Sequence, residues 1–438
     1  MEVIEVVGGA AVRATNILTP PAEQRICTEA ATLLPVGTGD RMGMATAGNE
    51  PLEIALNPMP GRHLHDHLRA LRDEHGPIAP VHFYGMPSYV ILDYDELRAF
   101  FTAQEEFPGG EVYKHQLEST IGPTFISMDG SEHDVYRQLV TPAFRSRATT
   151  RFVDSQLTPL AHQMLDGIVS AGEGDLVTGF ADRLPFWAIS RKLGLPDGYE
   201  DRQRGWAHAL LSELSDPEGA KVASAELTEL IAPVIADRRS NPGDDVISQL
   251  VANDYNGRRL TDAEVLSHVR LLFAVGATTT SDALSNLLWT LLNRPELLQR
   301  LREEPDSRPS AVRELLRWEP PVPLLPRMAL NGGVIAGVEV PPMSIVLGGI
   351  ASANRDPGRF ADPDTFDIDR PDTDVLTFGF GSKFCPGSHL AKLQLLAALE
   401  VVLDRLPELE LLDDEPGPEP SGCNLRSVSS LRCKWTAS

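Results

Sequence analysis

Between residues 132 and 318 the chain is an almost unbroken succession of helical patterns. Apolar residues recur at helical spacing over about 132–144, 151–170, 179–193, 200–214, 220–239, 244–254, 262–292, 295–304 and 309–318, and Pro or Gly punctuates most of the ends. An earlier helix over 61–75 stops at Gly76-Pro77, and a later one over about 387–404 follows a loop-rich stretch, 353–386, full of Asp and Pro. Strand-like runs are few and short. Val81–Tyr84 and Tyr89–Leu92 flank Gly85-Met86-Pro87 as a hairpin, Val334–Val340 and Ile345–Gly348 read as strands, and a weak strand tail closes the chain. No internal repeat, Gly/Ser linker or sharp composition change follows residue 57. The expectation is a mainly α protein with a small β portion, one large helical domain over 57–438. Residues 1–56 have no sustained period and read as an extended, loosely structured leader. They lack a basic start, apolar core and cleavage site, so no signal peptide is expected there.

Composition narrows the function classes. Of 438 residues 42% are hydrophobic and 23% charged, which is ordinary for a globular chain. Lys and Arg number 39 against 62 Asp and Glu, a net charge of −23. Such a surface repels nucleic acid and anionic lipid, and no run of about 20 apolar residues exists to cross a membrane. Cys27, Cys385, Cys423 and Cys433 form no C-x-x-C pair and no disulfide framework. The expected setting is the cytoplasm, with neither nucleic acid nor membrane as partner.

The most informative segment is Phe378-Gly379-Phe380-Gly381-Ser382-Lys383-Phe384-Cys385-Pro386-Gly387, directly before a helix. Unpaired amides and the dipole at a helix N-terminus favour thiolate over thiol, and glycines let backbone N–H groups approach the sulfur. A thiolate held this way suits a soft or redox-active metal. A lone cysteine in a glycine turn is more often just a buried structural residue. The whole string changes the balance, because it resembles the haem-binding signature of the cytochrome P450 family, F-G-x-G-x-[HR]-x-C-x-G. Lys383 departs from it, standing where His or Arg is usual, and keeps the charge without the planar fork.

The resemblance extends over roughly 57–438 and implies the cytochrome P450 fold around haem b (iron protoporphyrin IX), with the Cys385 thiolate as axial ligand and Phe378, Gly379 and Gly387 beside it. Glu314-Leu315-Leu316-Arg317 matches the family's E-x-x-R, whose members share a helix face. Arg370, in Phe366-Asp367-Ile368-Asp369-Arg370, is the later arginine that joins them, in a structural role. His133-Asp134-Val135-Tyr136-Arg137 resembles the family's H-x-x-x-R. With Arg327 and Lys383, His133 and Arg137 make four donors for the two haem propionates.

On the oxygen side, Phe273-Ala274-Val275-Gly276-Ala277-Thr278-Thr279-Thr280 is similar to the family's A-G-x-[DE]-T-[TS]. Ala274 and Gly276 would adjoin the haem, and Thr279 would orient the water or oxygen that takes up a proton. Thr278 departs from the acid usual there, so a relay of water and hydroxyls through Thr278, Thr279 and Thr280, or an acid from elsewhere, is implied. Phe273, Ala277, Val322, Leu324 and Leu325 are the carried-over substrate-pocket positions. All are apolar and imply a hydrophobic small molecule, capped by the loop Phe107–Pro123.

The function so implied is a haem-thiolate monooxygenase that inserts one oxygen atom of O2 by hydroxylation or epoxidation. Electrons would come from a ferredoxin fed by a ferredoxin reductase, docking at a patch such as Arg145, Arg147 and Lys392. Two alternatives stand beside it: a peroxygenase using hydrogen peroxide, and a non-catalytic haem-binding sensor or docking protein. His63 and His67, four apart, mimic a metal pair, but no Glu follows His63, so the stretch reads as an exposed helix face.

Overall fold

The computed structural model describes residues 51–371, 374–412 and 417–437. Helices account for 54% and strands for 11%, the mainly α architecture that the periodicity implies. The organising element is the 31-residue helix Asp262–Leu292, here called the central helix. It starts at a capping box in which Thr261 and Glu264 satisfy each other's backbone amides. Its residues are buried nearly all round, as expected of a helix that runs through a core rather than along a surface. Around it pack Leu184–Leu193, Glu200–Leu211, Pro217–Arg238, Arg308–Trp318 and Ser388–Arg405. Their inward faces and those of Gly130–Val140 and Thr158–Asp166 form one continuous apolar cluster.

The strands are, in chain order, β1 (Ile78–Phe83), β2 (Met86–Ile91), β3 (Glu173–Asp175), β4 (Leu325–Ala329), β5 (Gly333–Ile335), β6 (Val338–Val340), β7 (Ser344–Gly348), β8 (Glu410–Leu411) and β9 (Arg432–Lys434). The main sheet runs β1-β2-β7-β4, with β2 and β7 parallel and the other pairs antiparallel. Smaller sheets are β3-β9-β8 and β5-β6. Two further apolar clusters lie on the main sheet.

Element positions differ from the sequence reading in instructive ways. The first hairpin turns at Tyr84-Gly85, not at Gly85-Met86-Pro87, with Phe83 paired to Met86. Tyr84 and Gly85 have φ of 51° and 72°, the two left-handed residues that a tight two-residue hairpin needs. The run Val334–Val340 is itself a hairpin, broken at Ala336-Gly337. The cap expected as loop 107–123 contains a helix, Gly110–Leu117. Of the leader, residues 1–50 lie outside the described residues. Its last part is packed: Ile54 is fully buried and its amide donates to His82 O at 2.9 Å, so the folded body begins before residue 57. His63 and His67 lie on an exposed face of helix His63–His75, as read, while His65 between them is buried against Glu319. Cys27 lies outside the described residues, while Cys423 and Cys433 are buried, their thiols pushed up to about 11 and about 12 chiefly by burial.

Candidate active site

The cysteine string folds as a glycine-hinged loop that ends on helix Ser388–Arg405. Gly379 and Gly381 have φ of 71° and 76°, a region that side chains with a Cβ avoid, so both positions call for glycine. The Cys385 amide donates to Phe378 O at 2.9 Å and closes the loop. The backbone amides of Gly387 and Ser388 donate to the sulfur, and the Arg137 charge is close enough to act on it. Burial nevertheless dominates and raises the thiol above its ordinary range, against the thiolate that the sequence argument favoured. Desolvation of the buried sulfur outweighs the amide donors and the Arg137 charge. A coordinated metal cation reverses such a balance and deprotonates the thiol outright.

The expected propionate donors converge beside this loop. His133 and Arg137 share a face of helix Gly130–Val140, and both act electrostatically with Lys383. His133 is 1% exposed. Its Nδ1 meets Asp134 at 3.2 Å, whereas its Nε2 is buried with no partner. Burial, then the Lys383 charge, lower its pKa, so the ring is a neutral donor. Arg137 donates to Phe384 O on the cysteine loop. Arg327, on β4, is 2% exposed, lies over the rings of Phe100 and Phe101, and donates to Phe100 O (2.8 Å), Phe107 O (3.3 Å) and Phe101 O (3.2 Å). Burial lowers it to about 10. Lys383 differs from expectation in being already paired. It meets Asp129 Oδ1 at 3.0 Å and Met128 O at 2.5 Å. Among the described residues, neither Arg137 nor Arg327 meets a carboxylate. Tyr113, on the helix that the sequence reading missed, is a further polar group near Arg327, its phenol pushed up to about 12 by burial. A buried nitrogen without a partner and two cations without an anion fit a group that brings carboxylates.

Glu314, Arg317 and Arg370 come together in one buried cluster. Arg317 donates to Glu314 at 2.7 and 2.9 Å and to the carbonyls of Asn354, Pro363 and Thr365, while Arg370 Nε meets Glu314 Oε1 at 3.3 Å.

The central helix sorts the oxygen-side residues by face. Val275, Gly276 and Thr279 are only partly buried and share one side. Val275 was not singled out from sequence. Phe273 and Ala277 point the other way, fully buried, with Phe273 edge-on to Phe186 at 6.4 Å. Ala274 is likewise core. Thr278 and Thr280 are 1% and 4% exposed, and all three threonine hydroxyls donate to carbonyls four residues back. Of the expected relay, only Thr279 stands on the open face. The pocket list shortens too. Leu324 packs among Ile54, Met59 and Leu64, because neighbouring residues at the start of a strand face opposite ways, whereas Val322 and Leu325 are partly exposed.

Comparisons with known proteins identify the family. The residue profile of the Cytochrome P450 family matches residues 52–171 and 211–423. Cytochrome P450 107B1 of Saccharopolyspora erythraea is 34% identical over 292 residues, covering 66% of this chain and 72% of its own. Mycinamicin IV hydroxylase/epoxidase of Micromonospora griseorubida is 32% identical over 338 residues, covering 75% and 84%. The solved structure of the bacillaene polyketide synthase cytochrome P450 PksS of Bacillus subtilis superposes with a TM-score of 0.78 at 29% identity, over 86% of this chain and 99% of that one. The helical body around a cysteine loop and the extent of these matches lead to one conclusion: the chain belongs to the cytochrome P450 family, oxidoreductases that bind haem through a cysteine thiolate and act as monooxygenases.

Proposed function

We propose that Cys385 is the thiolate ligand, that His133, Arg137 and Arg327 hold the haem propionates with Lys383 behind them, and that oxidation takes place beside Val275, Gly276 and Thr279. The observation that carries this is the buried Arg327, held only by carbonyl oxygens among the described residues, together with the partnerless His133 Nε2, both acting electrostatically with Lys383 of the cysteine loop. When bound, a thiolate-ligated haem supplies the activation of dioxygen and the insertion of one oxygen atom. The chain's own residues do the rest. Backbone amides of Gly387 and Ser388 would hold charge on the sulfur, Arg137 and Arg327 would hold the carboxylates of the group, and the apolar residues around the site would exclude water. Thr279 stands where its hydroxyl can orient a proton donor.

The partly buried apolar residues Val275, Val322 and Leu325 support a hydrophobic small molecule as substrate. Relatives whose names give mycinamicin IV, 6-deoxyerythronolide B and polyketide biosynthesis support a substrate of polyketide type. Electrons would come from a separate acidic protein, a ferredoxin served by its reductase. Arg145, Arg147, Arg151 and Lys392 are exposed, and Thr150 meets His389 of the cysteine-loop helix at 3.4 Å, which sets the three arginines beside that helix.

Spectra of the reduced carbonyl adduct test the ligand. The wild type should give the thiolate-type band, and Cys385→His the band of an imidazole-ligated pigment. An unchanged spectrum in the variant removes Cys385 from the iron.

A further inference from the structure

The central helix carries a polar row that the packing buries. Thr278, Asp282, Asn286 and Thr290 follow one another at four-residue intervals and so lie along one ridge. They are 1%, 6%, 0% and 0% exposed. Three of them present an oxygen with no hydrogen-bond partner: Asp282 Oδ2, Asn286 Oδ1 and Thr290 Oγ1. Buried polar atoms are nearly always paired, and leaving one unpaired is costly. Three along a single ridge form a seam of unpaired buried oxygens, which bound water would pair.

The walls of the seam connect it to the surface. Asn286 Nδ2 donates to Arg426 O at 2.9 Å, and the Ser427 side chain hydrogen-bonds the Asp282 carboxyl, so residues 426–427 close one side. On the other side Ser281 Oγ donates to Asp182 Oδ1 at 2.9 Å. Asp182 Oδ2 lies 2.9 Å from Arg204 Nη2, and that arginine's side chain is 52% exposed. Two carboxyl groups therefore stand in sequence, Asp282 sealed in the helix and Asp182 beside a solvent-facing cation. Thr279 is one turn before Asp282, and Thr278, at the position where the acid is lacking, is four residues before it.

We propose that Asp282 is the proton store for the oxygen side, passing its proton along the water-bearing seam toward Thr279 and regaining one from solvent through Asp182 and Arg204. This rests on the reading of Thr279 given above. In each cycle the carboxyl O–H of Asp282 breaks and its proton goes to the oxygen being reduced beside Thr279. The resulting carboxylate takes a proton from solvent water, and no electron passes through these residues. Asp282 is a positioning residue, since it acts through Thr279 and water.

The groups that face Asp282 keep it loaded at neutral pH. Burial, the dominant cause, pushes it up to about 8; Ser427 and Arg204 pull it down, and Asp182 pushes it further up. Asp182 is itself raised by burial against the pull of Arg204, Ser281 and His208, with Asp175 adding to the rise, and His208 is held neutral chiefly by burial.

The test uses the haem-loaded protein. Infrared difference spectra of the resting ferric state, wild type minus Asp282→Asn, should contain a protonated-carboxyl C=O band that shifts in D2O and titrates out near pH 8. In turnover, Asp282→Asn should lower product formed per O2 consumed by about 10-fold or more, the range of positioned proton delivery. Thr278→Asp in that background should restore most of the loss by returning an acid to the ridge one turn away. The proposal is overturned by the absence of that band, by unchanged product per O2 in Asp282→Asn, or by a well-folded double variant that recovers nothing. Thr279→Ala separates the two readings. If Thr279→Ala leaves coupling intact, the oxygen-side assignment itself fails; if it uncouples while Asp282→Asn does not, only the proton store fails.

Discussion

Glu319→Gln should destabilise the protein by about 3–5 kcal/mol, the range for stripping one partner from a buried ion pair. Glu319 is 2% exposed and follows helix Arg308–Trp318. Its Oε1 accepts from Arg426 Nε at 2.5 Å, and both oxygens lie 3.2 Å from His65 Nε2. Arg426 is 0% exposed and spends its other donors on the carbonyls of Met59, Gly61 and Gly422. One carboxylate thus ties the first helix, the segment before β4 and the C-terminal loop. Burial opposes ionisation of Glu319, but His65 and Arg426 overcome it and hold the carboxyl at about 2. Burial, then the Arg355 charge, bring His65 down to about 4, so at neutral pH the ring donates while uncharged and the charge balance belongs to Arg426. With glutamine at 319, Arg426 stays buried with no anion. At ~2.1 cal/mol/K per residue over roughly 390 residues, the loss lowers Tm by about 4–6 °C.

Thermal unfolding of Glu319→Gln, Arg426→Met and the double variant, followed by far-ultraviolet circular dichroism at pH 7, measures this. The double variant should lose less than the two singles together, because it buries no lone charge. Acid adds a signed check. His65 titrates lower folded than unfolded, so its contribution is complete above pH 6.5 and is lost as pH falls through 4; that of Glu319 is complete above about 4.5 and is lost toward 2. Wild-type stability should therefore decline from pH 6.5 downward. A Glu319→Gln protein within about 1 kcal/mol of wild type at pH 7, or strictly additive singles, would refute the reasoning.

Arg317→Lys should behave nearly as badly as Arg317→Ala in soluble yield and haem content, because one ammonium cannot replace a fork that serves Glu314 and three carbonyls at once. Arg327→Gln should weaken haem retention more than Lys383→Gln, since Lys383 already has Asp129 as its partner; competition of each holoprotein with apomyoglobin for haem gives the ranking. Asp282 titrates higher folded than unfolded, so its contribution is complete below about 3.8 and is lost as pH rises through 8. Denaturant midpoints of Asp282→Asn between pH 5 and 9 should be flatter than wild type and should overtake it above 8.

Much of the fold was legible because helical periodicity survives burial on one face. The central helix was read at its observed limits, 262–292, since its start is a capping box and its end precedes Asn293-Arg294-Pro295. Turn positions were less legible. Gly85-Met86-Pro87 contains Pro, the usual turn residue, yet the chain turns on Tyr84 in a left-handed conformation, which bulky residues enter only when the strands on either side impose it. Helix Gly110–Leu117 escaped notice because it starts at Gly109-Gly110 and is only two turns long. At the site, spacing was enough to put His133 and Arg137 on one helix face, whereas their grouping with Arg327 and Cys385 was implied only by the family resemblance, because no local pattern says which separate elements meet. Which side of the central helix faces the reaction was not legible. Phe273, Ala277 and Leu324 are apolar in sequence whether they line a pocket or fill a core, and only packing separates the two. Asp282 was passed over for a related reason: an aspartate on a helix is ordinarily solvated, and nothing local announces that 426–427 will cover it.

The buried arginines distinguish what the protein needs to stand from what it needs to work. Among the described residues Arg308, Arg317, Arg327, Arg355 and Arg426 are buried. Four of them meet a carboxylate: Asp404, Glu314, Asp364 and Glu319 in turn. Arg327 meets carbonyls only. A buried guanidinium without an anion is costly, and carbonyl dipoles recover only part of the cost. A sequence free to maximise stability would place Asp or Glu within reach, as this one does four times. Leaving Arg327 unpaired, with a histidine whose Nε2 is also unpaired acting on the same Lys383, makes sense where the missing anions arrive with a ligand. The bound ligand then repays a deficit built into the chain, so its affinity and the stability of the loaded protein rise together. By the same accounting, introducing a carboxylate within reach of Arg327, as by Tyr113→Glu, should leave the unloaded chain as stable or more so while reducing haem binding, a combination that a merely misfolded site cannot produce.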